Sequence, residues 1–254
     1  MGFTIAVAGK GGTGKTSLCG LTIRYLTEKK RGPVLAVDAD ANMNLNEVLG
    51  VTVHASVGRL REDSLAAVKS TAPRPGGMSM EQLFDYQIQQ AIIEARGFDL
   101  LVMGRPEGPG CYCAANNIIR KYMDKLADTY PWTVMDNEAG LEHLSRRTTQ
   151  DTDLLLIISD PSVRGVMTGG RIGELVRELN LNVKRSVLIV NRAQEGGNAA
   201  LQKAIEQTGV EFAGFVPADD LIFEYDLNGK PLIQLPQDSK ALTGYFRILD
   251  GLLS

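Results

Sequence analysis

The first residues equipped for chemistry come early in the chain. A short apolar run, Thr4 to Ala8, leads into Gly9-Lys10-Gly11-Gly12-Thr13-Gly14-Lys15-Thr16-Ser17. This is the spacing G-x-x-x-x-G-K-[ST] of a phosphate-binding loop set between a strand and a helix. Gly9, Gly11, Gly12 and Gly14 let the backbone, with Thr13, wrap closely around phosphate oxygens with its N–H groups turned inward. The start of the following helix, at Thr16 and Ser17, adds partial positive charge. In such a loop Lys15 meets the β- and γ-phosphates and the Thr16 hydroxyl can ligate Mg²⁺. A plain glycine-rich turn is the alternative, and the strand, loop and helix context weighs against it. Lys10 puts a second lysine inside the loop; taken alone it is an exposed cation that raises local phosphate affinity.

Two acidic segments end strands further on, Val37-Asp38-Ala39-Asp40-Ala41-Asn42 and Asp136-Asn137-Glu138-Ala139-Gly140. Asp136 follows an apolar strand and precedes a glycine by four residues, the position from which a carboxylate binds the Mg²⁺ of a nucleotide directly or through water. Asp38 lies two residues before Asp40 on the same side of an extended backbone and can support the same ion. For each, the competing reading is a strand-end aspartate that caps a turn or helix.

A third segment reads Arg105-Pro106-Glu107-Gly108-Pro109-Gly110-Cys111-Tyr112-Cys113-Ala114. Alternate cysteines in a Pro/Gly-rich loop rarely share a core, and the ring they would close as a disulfide is short and strained, which favours metal ligation. Two thiolates half-fill a four-coordinate site, and neither His54 nor His143 has a spacing that links it to the pair. A two-fold dimer would supply four sulfurs if the motif lay on the axis. A tetrahedral S₄ set suits Zn²⁺ or an iron–sulfur cluster, and a square-planar one suits Ni²⁺. The third cysteine, Cys19, sits on the buried side of the first helix and reads as a core thiol.

These residues need a scaffold, and the composition bounds it. The 254 residues are 44% hydrophobic and 22% charged, with 27 Lys+Arg against 30 Asp+Glu, a net charge of -3. A chain of this length buries enough surface for one large domain, residues 1–254, without disulfides. The acidic balance speaks against a nucleic-acid partner. No apolar run approaches the ~18 residues needed to cross a bilayer, the start lacks the basic region of a secretory signal, and a cytoplasmic location is expected. Strands are expected at Thr4 to Ala8, Val34 to Val37, Asp99 to Met103, Thr133 to Met135, Leu154 to Ile158, Val187 to Val190 and Phe212 to Val216. Helices are expected at Ser17 to Lys29, Met80 to Ala95, Ala114 to Tyr130, Val166 to Leu179 and Ala199 to Thr208. The alternation predicts an α/β fold with a mostly parallel sheet of about seven or eight strands and helices on both faces. In such sheets ligands bind outside the carboxyl ends of the strands, where all three segments fall. Val51 to Met80 reads as an insertion at one sheet edge. The closing ALTGYFRILDGLLS reads as a helix lying back on the sheet, with too few basic residues for a membrane-surface helix.

The loop GKGGTGKT resembles the deviant Walker A motif of the MinD/ParA/nitrogenase iron protein class of P-loop ATPases. The resemblance implies ATP or ADP with Mg²⁺, and a homodimer in which Lys10 reaches the partner's nucleotide. It likens Asp40 to the switch I aspartate that orients the attacking water. It likens Asn191-Arg192 and Pro217-Ala218-Asp219 to segments that hold adenine. ATP is favoured because Asn191 is not followed by the K-x-D that reads guanine. In this class the dimer axis runs along the nucleotide face, which would bring the two C-x-C motifs together.

More closely, GKGGTGKT, Val37-Asp38-Ala39-Asp40, the glycine-preceded Cys111-Tyr112-Cys113 and the run Asp136 to Leu144 resemble the CooC/AcsF accessory ATPases of carbon monoxide dehydrogenase and acetyl-CoA synthase. That resemblance implies ATP-dependent delivery of Ni²⁺, with Zn²⁺ possible in the same site, to one of those client enzymes, with no membrane involved. Ala41 departs from the proline that often follows the switch I aspartate. Glu142 and His143 would lie in switch II, to relay nucleotide state, touch the metal or simply face solvent. Two alternatives stand beside this reading. One is an iron–sulfur electron-transfer ATPase, disfavoured because no cysteine follows Asp136. The other is a positioning ATPase of DNA or membrane.

Overall fold

The run Phe3–Gly9 forms β1, and its side chains divide by parity. Ile5 and Val7 enter one apolar cluster while Ala6 and Ala8 enter another on the opposite face, as the two-residue period of a strand requires. Strands buried on both faces read as near-continuous apolar runs and belong to parallel sheets covered by helices on both sides. The structure, a computed structural model, describes residues 2–30, 32–40, 42–59, 80–104, 125–137, 152–194 and 197–254.

After β1 come α1 (Lys15–Lys29), β2 (Val34–Asp38), a short α2 (Leu45–Leu49), α3 (Met80–Ala91), β3 (Ile93–Ala95), β4 (Phe98–Val102) and β5 (Trp132–Asp136). The second half holds β6 (Thr152–Ser159), α4 (Val163–Glu178), β7 (Val183–Ala193), α5 (Ala199–Gln207), β8 (Glu211–Pro217), α6 (Asp220–Leu227), a 3₁₀ turn at Leu232–Gln234 and α7 (Lys240–Leu252). The eight strands lie in the order β3-β4-β2-β5-β1-β6-β7-β8. All neighbours are parallel except β3 and β4. The chain runs outward from β1 first to one side and then to the other, so the loop after β1 stands at the topological switch point.

One core lies between the sheet and α1 with α7. On the other face α4 and α5 cover β1, β6 and β7, while Ile88 and Ala91 of α3 cover β2, β4 and β5. On α7, Ala241, Leu242, Tyr245, Phe246 and Leu249 are all buried, each large side chain contributing about 1.5–3 kcal/mol by burial. Tyr245 and Thr22 share a hydroxyl hydrogen bond of 2.8 Å, and the Tyr25 hydroxyl donates to Asp250 at 2.8 Å. The apolar stripe of α7 is therefore committed to the core. Among the described residues no helix is long and apolar enough to cross a membrane.

The expected α/β architecture is the one observed. The seven expected strands are present, with β7 longer than expected. The eighth corrects one expectation: Met80 to Ala95 is not a single helix. It ends at Ala91, and Ile93–Ala95 pairs antiparallel with β4. The intervening Arg96-Gly97 makes a tight hairpin, with Gly97 at φ 89°, which a two-residue turn favours. Of the helix expected over 114–130, residues 125–127 are helical and 114–124 lie outside the described residues. In the segment expected to be an edge insertion, residues 60–79 also lie outside the described residues. Val57 joins the core, and the Gly58 N–H donates to the Met103 carbonyl at 2.8 Å, fastening this stretch to the end of β4.

Candidate active site

Two glycines of the loop admit no other residue. Gly9 has φ 155°, and a Cβ there would stand 2.3 Å from the Ile158 carbonyl oxygen. Gly14 has φ 88°, and its Cβ would stand 2.4 Å from Nδ2 of Asn191. Gly14 is also the N-cap of α1, with no side-chain cap and no acidic residue in the first turn. The first N–H groups of a helix carry the positive end of its dipole, so this turn is open to an anion. The loop closes on the Lys10 carbonyl, which accepts from the Thr13 hydroxyl at 2.9 Å and from Nζ of Lys15 at 3.4 Å. The Lys10 side chain, with Gly11 and Gly12, is exposed, whereas Thr13 and Lys15 are buried.

The loop is latched from β7. Nδ2 of Asn191 donates to the Thr13 carbonyl at 2.8 Å, and Nη1 of Arg192 donates to the Gly12 carbonyl at 3.3 Å. Arg192 has φ 56°, where the register between β7 and β8 shifts. In a trans peptide the carbonyl and the following N–H point opposite ways. Fixing the Thr13 carbonyl therefore fixes the direction of the Gly14 N–H. Asn191 and Arg192, expected beside adenine, are thus seen gripping the phosphate loop.

The carboxylates come from neighbouring strands in register. Asp136 on β5 is opposite Asp38 on β2 and opposite Val7 on β1. Asp38 is fully buried; it accepts from the Asp40 N–H at 3.0 Å and from the Leu45 N–H at 3.1 Å. Burial pushes its carboxyl up to about 6, against the pull of those two N–H groups. Of the two readings of a strand-end aspartate, capping is the one its contacts display: it holds the turn that carries Asp40. Asp40, half-buried, accepts from the Asn42 N–H at 2.8 Å. Asp136 differs, because it is 1% exposed and neither carboxylate oxygen has a hydrogen-bond partner. Burial pushes it up to about 7; the Thr16 hydroxyl and Lys15 ammonium beside it oppose that, and Asp38 and Asp40 add to it. Two open hard oxygens next to a threonine hydroxyl fit Mg²⁺, whose preferred ligands are oxygens.

Pro217 ends β8, and Asp219 caps two helices. Its Oδ1 accepts from the Leu221 N–H at 3.0 Å, and its Oδ2 accepts from the Ser239 hydroxyl at 2.6 Å and the Ala241 N–H at 3.1 Å. Burial alone would raise its carboxyl, but these bonds bring it below its ordinary value. Asp219→Ala is expected to cost about 1–2 kcal/mol at pH 7. Because the folded value is depressed, the stabilisation is present above the unfolded value near 4 and is lost as pH falls through the folded one. Urea denaturation at pH 7 and pH 3 checks this: the gap between wild type and variant should narrow at the lower pH.

Cys19 is fully buried, as expected of a core thiol; burial and then the charges of Asp136 and Asp38 push it well above its ordinary value. Cys111, Cys113, Glu142 and His143 lie outside the described residues. Among those described, no group of three or more His, Cys, Asp and Glu is placed to hold a metal ion. Sequence reasoning did not single out Asn137, which is 1% exposed and donates to the Val7 carbonyl at 3.0 Å. Its Oδ1 is without a partner, as are Asp136 and the Thr133 hydroxyl. The signal was available: a second polar residue directly behind Asp136 at the end of an apolar strand.

A sheet of this order with a phosphate loop at its switch point defines a P-loop ATPase. Residues 4–232 match the CobQ/CobB/MinD/ParA nucleotide binding domain, and the chain belongs to that family. It is 42% identical to the uncharacterised ATP-binding protein MJ0685 of Methanocaldococcus jannaschii over 236 residues, 93% of this chain and 92% of that one. It is 31% identical to the carbon monoxide dehydrogenase accessory protein CooC of Rhodospirillum rubrum over 185 residues, 70% of each chain. In fold it is similar to the cell division ATPase MinD of Pyrococcus furiosus, with a TM-score of 0.71 at 20% identity, covering 100% of this chain and 99% of that one. MinD of Pyrococcus horikoshii, complexed with Mg-ADP, superposes with a TM-score of 0.71 at 20% identity, over 99% of this chain and 96% of that one. The chain is an ATPase of the MinD/ParA class, with ATP or ADP and Mg²⁺ as its ligands.

Proposed function

We propose that residues 1–254 form one cytoplasmic ATPase domain that works as a homodimer and couples ATP turnover to the binding and delivery of a metal ion. The cargo in this reading is Ni²⁺, with Zn²⁺ as a competitor, held by Cys111 and Cys113 of both chains. The client is carbon monoxide dehydrogenase or acetyl-CoA synthase. The observation that carries the reading is the C-x-C pair itself, in a chain 31% identical to a carbon monoxide dehydrogenase accessory protein. The fold adds a route for coupling. The Met103 N–H donates to the Asp38 carbonyl at 2.8 Å, so the chain enters the cysteine-bearing segment from the end of β4, beside the end of β2 that leads to Asp40.

In this reading Gly9 to Gly14 and Ser17 cradle the phosphates and Lys15 neutralises the β- and γ-phosphates. Asp40 orients the attacking water, and Lys10 answers to the partner's nucleotide. Thr16 and Asp136 hold Mg²⁺, which would neutralise charge building on the phosphates, while Asp38 fixes the turn that carries Asp40. The adenine lies against Asn191, Arg192, Pro217 and Asp219. A membrane-positioning role finds no support in α7, whose apolar stripe is packed on α1.

Anaerobic titration with Ni²⁺ and Zn²⁺, followed by size-exclusion chromatography with ADP or a slowly hydrolysed ATP analogue, tests the reading. One ion per two chains is expected, with affinity that changes with the nucleotide because the coupling is reciprocal. A Cys111→Ser/Cys113→Ser variant should bind none while still binding ATP. Unchanged metal affinity in that variant overturns the proposal, and a brown protein absorbing near 400 nm would replace the ion with an iron–sulfur cluster.

A further inference from the structure

The amide of Asn137 is buried where the strand of the cation site meets the strand of the phosphate loop. It is 1% exposed, it directly follows Asp136, and β5 lies beside β1 with Asp136 opposite Val7. Its Nδ2 donates to the Val7 carbonyl at 3.0 Å, and Gly9 opens the loop two residues after Val7. A carbonyl can only accept, so the nitrogen is the atom that faces Val7 and Oδ1 is turned away from it. That oxygen has no partner among the described residues.

The sheet does not need this side chain. The same Val7 carbonyl already accepts from the Asn137 backbone N–H at 3.2 Å, the ordinary pairing of parallel strands. Leucine has the same branched arrangement of heavy atoms and would fill the position without burying a polar oxygen. A desolvated acceptor left open costs stability, so the amide is explained by a donor that arrives with the ligand. Its place narrows the choice. Lys15 meets the β- and γ-phosphates, and Asp136 with Thr16 marks the place of their Mg²⁺, so the terminal phosphate lies over the ends of β1 and β5. Phosphate oxygens only accept. Donors there are the attacking water and the waters that Mg²⁺ retains. Successive strand residues point to opposite faces, so Asn137 is turned from the face on which Asp136 meets Thr16 and Lys15. That orientation favours the attacking water.

We infer that Oδ1 of Asn137 accepts a hydrogen bond from the attacking water and holds it in line with the γ-phosphate. The inference rests on the reading of Gly9 to Thr16 and Asp136 as the site of ATP and Mg²⁺. In hydrolysis the water oxygen bonds to the γ-phosphorus as the bond from that phosphorus to the bridging oxygen breaks. The electron pair of the broken bond leaves on ADP; one water proton stays on the phosphate and the other passes to solvent. An amide oxygen takes up no proton, so Asn137 sets the direction of attack and does no acid–base work.

The test compares the full chain with Asn137→Leu, which keeps the shape, and Asn137→Ala. Steady-state hydrolysis is measured beside calorimetric titration with Mg-ADP plus beryllium fluoride or aluminium fluoride. The first complex mimics bound ATP before attack; the second mimics the transition state and includes the attacking water. Both variants should lose about 100-fold in kcat. They should bind the beryllium complex as wild type does and lose a similar factor for the aluminium complex. An Asn137→Leu variant that keeps full kcat but unfolds at lower urea overturns the inference, because that is the pattern of a structural hydrogen bond. Equal weakening of both fluoride complexes also overturns it and assigns Oδ1 to a water of Mg²⁺. Lys15→Ala separates the two readings: it should abolish binding of both complexes, and if it does not, the phosphate-loop reading fails whatever Asn137 does.

Discussion

Asp136→Asn is expected to make the nucleotide-free protein more stable while abolishing its ATPase activity. The carboxylate is 1% exposed, with both oxygens unpartnered, so the folded chain carries a desolvated charge that the unfolded chain does not. Its folded value of about 7 lies above the unfolded value, so between about pH 4 and 7 the folded state holds more protons. Stability is then fully present below that window and is lost as pH rises through it. The loss is on the order of 4 kcal/mol, and Asp38, raised to about 6 across the register, titrates with it as a pair.

Asparagine removes the charge but leaves a buried amide with donors to satisfy, which returns about 1–2 kcal/mol of the gain. Urea denaturation in EDTA should show wild type weaker at pH 8 than at pH 5.5, and the variant flatter across that range and stronger at pH 8. Mg²⁺ with ADP should reverse the order, because only wild type gains stability by binding. Hydrolysis should fall roughly 10²- to 10³-fold or more. A variant weaker than wild type at pH 8 in EDTA would falsify this account of the site.

How much of this could be read from the sequence depends on the range of the interactions involved. The phosphate loop was legible because its requirements are local: backbone angles at Gly9 and Gly14, and a lysine and threonine opening a helix. Asp38 and Asp136 looked alike because capping a turn and binding a cation both call for an aspartate at a strand end. Burial and the Asp40 and Leu45 N–H groups separate them, and those are properties of the folded sheet. The latch made by Asn191 and Arg192 joins the seventh strand to the loop after the first, and the double cap at Asp219 joins α6 to α7; neither pairing leaves a local trace. β3 was hidden for another reason. Ile92 and Ile93 satisfy the spacing of the helix before them as well as that of a strand, and the Arg96-Gly97 turn was the one signal that told the two apart.

Lys10→Ala is expected to leave ATP binding intact and to cut hydrolysis by roughly 1,000-fold or more, within the range of a cationic side chain supplied across an interface. Within one chain the loop uses the Lys10 carbonyl, which closes on Thr13 and Lys15, while the side chain stays exposed. Alanine keeps that carbonyl, so the cradle should survive and the calorimetric affinity for ATP should change little. What distinguishes action across the two-fold axis from action in place is complementation. Lys10→Ala and Asp136→Asn should each be inactive alone. In a hybrid dimer, the site with an intact Asp136 receives an intact Lys10 from its partner. Random mixing makes half the dimers hybrids with one working site each, so an equimolar mixture should recover about a quarter of wild-type activity. A mixture as inactive as its components would show that Lys10 serves its own nucleotide.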